Sequence, residues 1–234
     1  EMQAKASEQM DNFVRILEKR GIRVDRPTPM DFSQSVSTPD WQQKTQFGCM
    51  PPRDLLLTVG NEILEATMSY RCRWFEYLCY RPLLEQYFKE DPNMRWESAP
   101  KPRLTDETYK KDYWRKWEKK SKEEQKKAIY ERDWILTEKE PCFDAADIGR
   151  AGKDLFVYNS SVTNKAGIEW LKRHFSKHRI HTIWFYETNG FHIDATFVLL
   201  RPGLALSNPK RIPLAPNMLE YFKRNDWEVV KSAK

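Results

Sequence analysis

The feature that most restricts the fold of this chain is an internal repeat in the order strand, strand, helix, strand. The first full copy opens with an apolar strand at 54–59, the tight turn 60–61 and a second strand at 62–66. Apolar residues at helical spacing predict a helix over 70–88, and a strand at 94–97 completes the copy.

Two more copies and a half copy extend this order along the chain. The predicted elements of the second copy are strands 144–148 and 154–158, helix 164–177 and strand 180–186. Those of the third are strands 194–200 and 204–206, helix 218–224 and strand 227–230. A helix at 2–20 and a short strand at 22–24 form the half copy, and a serine or threonine, Ser161 or Thr163, is expected to cap the helix of the second copy.

A period of about 45 residues with one hairpin and one helix predicts units arrayed around an axis. We therefore predict an α/β fold with about three and a half ββαβ units. Residues 1–234 are treated as one domain, and residues 100–139 as a basic insertion between the first and second full units.

The charge of the chain, +6, is concentrated in residues 110–132, where ten Lys or Arg outnumber the acids. Interleaved glutamates favour a solvated surface there over a nucleic-acid or anionic membrane site. No apolar run approaches the length of a membrane span, and no secretory signal is visible. The four cysteines show no regular spacing, which indicates reduced thiols in an intracellular or organellar compartment.

An aspartate opens each full unit: Asp54, Asp144 and Asp194. If the units surround one axis, these carboxylates converge and repel each other unless a cation lies between them. A metal site is the weaker interpretation because the chain has four histidines without ligand spacing. A guanidinium fits better, since its N–H donors pair bidentately with carboxylates.

His192 lies two residues before Asp194, so on an extended backbone both side chains would point the same way. A histidine beside a carboxylate is typical of proton transfer. A histidine that merely caps the end of a strand remains the alternative.

Several segments, in this order, resemble the arginine:glycine amidinotransferase family. They are MPPRD at 50–54, VGNEI at 59–63, RWFEY at 73–77, EPCFDAAD at 140–147, GIEW at 167–170, HIDATF at 192–197 and LSNP at 206–209. The match runs from about Met10 to the last strand and is interrupted by the basic insertion.

The resemblance implies a pseudo-fivefold α/β propeller of ββαβ units, the pentein type, which would be incomplete here. It also implies a ping-pong reaction without a cofactor or metal. A cysteine thiolate attacks the guanidino carbon of arginine, ornithine leaves, and the amidino group passes to glycine or another amine.

By motif position, the resemblance assigns acid/base roles to Asp144 and His192. It assigns substrate-binding roles to four residues: Asp54 and Asp194 for the guanidinium, Arg211 for the substrate carboxylate and Asn189 for the acceptor.

The sequence departs from the family where the nucleophile is expected. The family's cysteine lies in a glycine-rich, His-Cys segment of the fifth unit, and none of the four cysteines stands in that context. The first hairpin of unit one is also absent, and Phe191 replaces the usual Met. Three and a half units cannot close a ring, so open strand edges would remain.

Three hypotheses stay open. In the first, the chain is an amidinotransferase that acts on arginine and glycine. In the second, it is an inactive amidinotransferase-derived subunit of a larger mitochondrial assembly. In the third, which the interleaved acids make the least favoured, the basic insertion binds nucleic acid. Other protein chains covering the open edges are expected partners. The resemblance implies a mitochondrial location, or the cytoplasm for a bacterial protein.

Overall fold

A computed structural model of the chain describes residues 2–184, 192–208 and 216–231. Within these ranges, three separate three-stranded sheets each place the second strand of a unit in the centre. The central strand pairs antiparallel with the strand before it and parallel with the strand after it. The repeat predicted from the sequence is therefore confirmed for the three full units, and the class is α/β.

The strands are short. Their bounds are β1 Val36–Ser37, β2 Gln42–Gln43, β3 Leu56–Val59, β4 Glu62–Glu65, β5 Arg95–Ser98, β6 Ile148–Ala151, β7 Asp154–Tyr158, β8 Arg179–Ile183, β9 Phe197–Arg201, β10 Leu204–Ser207 and β11 Glu228–Lys231. The first two form a small hairpin in the loop before unit one, and the next nine form the three units in order.

A parallel pair needs a crossover, and in each unit a helix supplies it. The helices are α1 Met2–Glu18, α2 Pro52–Leu55, α3 Tyr77–Glu90, α4 Tyr113–Glu118, α5 Lys122–Tyr130, α6 Lys165–His174 and α7 Pro216–Arg224. The crossovers are α3, α6 and α7, while α4 and α5 belong to the segment between units one and two.

The first strand of each unit, β3, β6 or β9, is its inner strand, and the predicted start of each inner strand is wrong in the same way. A short helical turn stands where a strand was expected: α2, and the 3₁₀ turns Ala145–Asp147 and Ile193–Ala195. Proline at the first position of α2 suits a helix start, because its missing N–H has no partner there in any case. These turns pack against one another, so the heads of the three inner strands meet.

Three smaller expectations also fail. Residues 22–24 do not form a strand. The first strand of the second unit is Ile148–Ala151 and not 144–148, so the turn after it is confined to 152–153, where Gly152 has φ +62°. Helix α6 is capped by Asn164, whose side chain accepts the Gly167 N–H at 2.8 Å, and not by Ser161 or Thr163.

Two apolar clusters join neighbouring units. One contains side chains of units one and two, among them Leu64, Leu84, Phe143 and Leu171. The other joins units two and three through residues such as Phe156 and Phe222. Each unit thus buries its apolar face against its neighbours, as expected of stacked repeats.

A polar contact repeats at each unit boundary. The first residue of the central strand is a buried acid, Glu62 in unit one and Asp154 in unit two. Each binds a side chain on the helix of the following unit: His174 contacts Glu62, and the Tyr221 hydroxyl donates to Asp154 at 3.1 Å. Both helix residues immediately precede a buried phenylalanine, so they occupy equivalent positions.

The segment between units one and two packs on the body of the fold. Ser121 and Glu124 form a capping box that starts α5. The Trp134 indole donates to the Asn159 carbonyl at 3.2 Å and ties the segment to unit two. In the described part of the chain, no helix is long and apolar enough to cross a membrane.

Candidate active site

The helical turns at the strand heads bring Asp54, Asp144 and His192 together, each at most 4% exposed. The His192 imidazole lies between the two carboxylates. Its Nε2 is 3.4 Å from Asp144 Oδ2, and its Nδ1 is 3.7 Å from Asp54 Oδ1. A buried imidazole between carboxylates is an arrangement for holding and moving a proton.

The backbone at His192 is not the extended segment that the sequence suggested. His192 has φ +47° and ψ 130°, and Ile193–Ala195 turns as a 3₁₀ helix. A non-glycine residue in this region costs roughly 1–3 kcal/mol and persists where the surroundings demand it. In this backbone conformation the imidazole faces Asp144 and Asp54. A histidine that merely caps the end of a strand would not make these contacts.

Arg73 and Glu76 complete the buried cluster, and neither was predicted as a site residue. Arg73 donates through Nε and Nη2 to the two Glu76 oxygens, both at 2.9 Å. Its Nη1 donates to Asp54 Oδ2 at 2.8 Å and lies 3.8 Å from Asp144 Oδ2. The available signal was the i, i+3 spacing of an arginine and a glutamate within the RWFEY segment at 73–77.

Two carboxylate oxygens of the cluster are left without hydrogen bonds. Among the described residues, no donor is aligned with Asp54 Oδ1 or with Asp144 Oδ1, although both atoms are buried. A buried carboxylate oxygen without a hydrogen bond is uncommon and calls for an explanation, such as a catalytic role or a bound ion. The two oxygens are therefore the acceptors that this cluster offers to a ligand.

Burial and charge shift the pKa values of the central pair. Burial raises the pKa of Asp144 above its ordinary value, although His192 and Arg73 favour the charged form. Burial alone would lower the pKa of His192, but its hydrogen bond to Asp144 and the charges of Asp147, Asp144 and Asp54 raise it. The pair therefore retains a proton to higher pH than a free imidazole, as a general acid requires.

Two more buried carboxyls have high pKa values. Burial raises the pKa of Glu76 to about 7, even though Arg73 favours its charged form. Burial also raises the pKa of Asp147 to about 7. The Ser160 and Thr163 hydroxyls donate to Asp147 Oδ2 at 2.5 and 2.6 Å, whereas its Oδ1 lacks a hydrogen bond.

Asp194 lies at the more open side of the cluster, with a side chain 35% exposed. Its Oδ2 is 2.7 Å from Arg53 Nη1, and the same nitrogen is 3.1 Å from Asp54 Oδ1. Arg53 and Asp194 line a cavity of about 220 Å³ whose walls are the inner strands of the three units. The predicted convergence of the three aspartates is thus observed, with Asp194 linked to Asp54 through Arg53.

Two predicted site residues, Asn189 and Arg211, lie outside the described residues. In the described ranges, no group of three or more His, Cys, Asp or Glu side chains is arranged to hold a metal ion.

None of three buried or half-buried cysteines has the character of a nucleophile. Burial raises the pKa of Cys72, of Cys142 and, to about 12, of Cys79. Catalytic cysteines have lowered pKa values because the thiolate is the reactive form. Cys49 lies in the loop before α2, where its carbonyl accepts the Tyr80 hydroxyl.

Comparison with known proteins gives related sequences and structures but no matching family model. The chain is 45% identical over 227 residues to the mitochondrial glycine amidinotransferase of Danio rerio, covering 97% of this chain and 51% of that protein. It is 40% identical over 230 residues to the L-arginine:L-lysine amidinotransferase of Pseudomonas savastanoi pv. phaseolicola, covering 98% of this chain and 59% of that protein.

Among solved structures, SxtG of Microseira wollei, an amidinotransferase of the saxitoxin biosynthetic pathway, matches with a TM-score of 0.84 and 38% identity. The match covers 98% of this chain and 62% of SxtG. The chain thus spans about half to three fifths of the length of these relatives.

Proposed function

This chain belongs to the amidinotransferase family that includes the glycine amidinotransferases, and from that membership we propose that its buried cluster binds the guanidinium of arginine and moves protons while the amidino group passes to an amine. Its α/β units are of the pentein type that this family shares. That five such units close into a ring is part of this proposal.

The observation that carries the proposal is the pair of buried oxygens without hydrogen bonds, Asp54 Oδ1 and Asp144 Oδ1. A ligand that satisfies both must donate hydrogen bonds in two directions and carry positive charge. A guanidinium does this, because its planar N–H donors match carboxylates on more than one side. Asp194, at the open side, would accept a further N–H of the same group.

The proton steps follow from the position of His192. When the bond between the guanidino carbon and the side-chain nitrogen of arginine breaks, that nitrogen leaves as the amine of ornithine and needs a proton. His192, held by Asp144, donates it. In the second half, the acceptor amine attacks the amidino carbon, and the neutral imidazole takes the proton that this amine releases.

Transfer also needs a thiolate to carry the amidino group between the two halves. The raised pKa values of Cys72, Cys79 and Cys142 argue against all three in that role. A second candidate function is an inactive amidinotransferase-derived subunit that retains the carboxylate cluster for stability. In that case, other chains would cover the strand edges of the units.

The identity of the acceptor belongs to the proposal as well. Relatives are named for glycine and for lysine, so we propose the amine of an amino acid. Arg211 would hold the substrate carboxylate, and Asn189 and Phe191 would shape the acceptor side. A mitochondrial location is proposed because the Danio rerio relative is named so.

Arginine binding to the 234-residue chain, measured by isothermal titration calorimetry, tests the binding step. Asp54→Asn and Asp144→Asn should each weaken binding about tenfold or more, because each removes a charged acceptor from the cradle. Asp106→Asn, at a side chain 99% exposed, is the matched control and should bind arginine as the unaltered chain does.

Ornithine release from arginine and glycine by the native protein, followed by mass spectrometry, tests the transfer itself. His192→Ala should lower the rate about 10²–10⁴-fold, the usual contribution of a general acid/base. Arginine binding without any ornithine above background would exclude the transferase and favour the inactive subunit. Absence of arginine binding would contradict the guanidinium site.

A further inference from the structure

The side chain of Arg53 lies across Asp54 and Asp194, two of the three carboxylates that the proposed function assigns to the guanidinium of arginine. Its Nη1 atom is 2.7 Å from Asp194 Oδ2 and 3.1 Å from Asp54 Oδ1. These carboxylates belong to the heads of units three and one, so one nitrogen of the chain's own arginine bridges two units. The chemical group in that position is the same as the group proposed to bind there.

We propose that Arg53 is an internal competitor for the substrate guanidinium. Its side chain neutralises Asp54 and Asp194 when no substrate is bound, and it leaves them when a guanidinium enters. The inference rests on the proposed function, because it takes these two carboxylates as part of the site that binds the substrate guanidinium. It also makes Arg53 a specificity-determining residue, since a ligand must replace a guanidinium contact with one at least as good.

The contact that Arg53 makes is of a kind that a ligand can displace. Its side chain is 53% exposed and that of Asp194 is 35% exposed, so water competes for both charges. Its Nη1 atom makes the contacts of 3.1 Å and 2.7 Å with Asp54 and Asp194, and Asp54 Oδ1 lacks an aligned hydrogen bond even with that nitrogen nearby. A free guanidinium that pairs bidentately would bind more strongly than a contact without an aligned hydrogen bond.

The second arginine at Asp54 shows the contrast. Arg73 is 4% exposed and donates to Asp54 Oδ2 at 2.8 Å while its other nitrogens bind Glu76. The two oxygens of Asp54 therefore have different partners. On Oδ2 it is a buried arginine with three hydrogen bonds to acids, and on Oδ1 an exposed arginine without an aligned hydrogen bond. Only the contact on Oδ1 can exchange without breaking the buried cluster.

The position of Arg53 in the chain allows this exchange. It precedes Asp54 on the short helix α2, so its backbone is held in place by the same turn that positions the carboxylate. Its long side chain lines the cavity between the inner strands and can move into solvent by rotamer changes alone. No rearrangement of the units is needed for a substrate to take its place.

The test is calorimetric binding of L-arginine to the 234-residue chain at fixed ionic strength. Arg53→Met keeps the apolar stem and removes the competing charge, so it should bind arginine about two- to fivefold more tightly. Arg53→Lys keeps the charge without the fork and should fall between the two. Arg150→Met is the matched control: Arg150 lines the same cavity and loses the same charge, but it donates to the Thr58 carbonyl.

L-Lysine is a second probe, which separates competition for Asp54 and Asp194 from a general change in the electrostatic field of the site. The gain on Arg53→Met should be larger for arginine than for lysine. Circular dichroism melting confirms that each variant is folded.

Unchanged or weaker arginine binding by Arg53→Met would overturn the inference while leaving the proposed function intact. Equal tightening by Arg150→Met would overturn it too, because the effect would then be the net charge of the chain. If neither the unaltered chain nor Arg53→Met binds arginine, the proposed function itself fails, and the inference fails with it.

Discussion

Replacing Arg73 with methionine is expected to lower the free energy of unfolding by about 4 kcal/mol at pH 7.5. The guanidinium is 4% exposed and donates three hydrogen bonds, two to Glu76 at 2.9 Å and one to Asp54 at 2.8 Å. Bonds to charged groups contribute about 1.5–3 kcal/mol each, which gives roughly 4.5–9 kcal/mol for three. Methionine recovers part of this by filling apolar space, and breaking one side of a buried pair typically costs about 3–5 kcal/mol.

The assay is urea unfolding at pH 7.5 and pH 5.5, with the free energy obtained by linear extrapolation. The loss should be smaller at pH 5.5. Burial raises the pKa of Glu76 to about 7, so at pH 5.5 its carboxyl is largely neutral and Arg73→Met leaves no buried charge there. The double variant Arg73→Met/Glu76→Leu should recover part of the stability, since it removes a buried charge of each sign.

Arg103→Met is the matched control, because its guanidinium is 73% exposed and pairs with Asp40 at the surface. It should leave the urea midpoint nearly unchanged. A loss below about 1 kcal/mol for Arg73→Met, or an equal loss at both pH values, would refute the electrostatic account of this cluster.

Three further measurements test other parts of the structure. Burial raises the pKa values of Glu76 and Asp147 to about 7, so both carboxyls keep a proton in the folded chain that they lose near pH 4 when unfolded. The urea midpoint should therefore fall as the pH rises from 5 to 8, and it should fall less for Asp147→Asn. A midpoint that rises with pH would contradict this. His174→Ala should cost about 1–2 kcal/mol by removing a partner of buried Glu62, and an unchanged thermal midpoint would show that this unit boundary does not depend on it. Gly167→Ala should destabilise the chain by about 1–3 kcal/mol, because its Cβ would lie 2.3 Å from a backbone carbonyl oxygen; Ala166→Gly on the same turn is the comparison, and equal losses would exclude the steric cause.

The repeat was predictable because it depends on local patterns. Apolar runs of strand length, separated by Gly60 and Gly203 at positive φ, specify two of the hairpins. The helices α6 and α7 carry apolar residues at helical spacing and were placed within a few residues of their observed bounds. The strand at 22–24 was not confirmed, because three apolar or basic residues without a paired neighbour have no ladder to join.

Part of the candidate site was also predictable. Equivalent strand ends meet when units surround an axis, so the repeat itself predicted that Asp54, Asp144 and Asp194 converge. The roles of these residues, and those of Asn189 and Arg211, remain predictions. The sequence did not predict Arg73 and Glu76 as site residues. Both lie on the segment before α3, where the same sequence pattern allows a side chain to face either solvent or the core.

What the sequence by itself determined about this protein is the ββαβ period, the aspartate at the head of each unit and the resemblance to a family. The first two follow from local propensity and order along the chain, and the third follows from segments that match the family's motifs. Tertiary structure alone decided that His192 turns into a strained conformation between two carboxylates, that Arg73 is buried against three acids and that Arg53 bridges Asp54 and Asp194. The physical reason is that burial and charge pairing arise only when units distant in sequence pack together. The same side chains on an unfolded chain would be solvated, ordinary in pKa and without common partners.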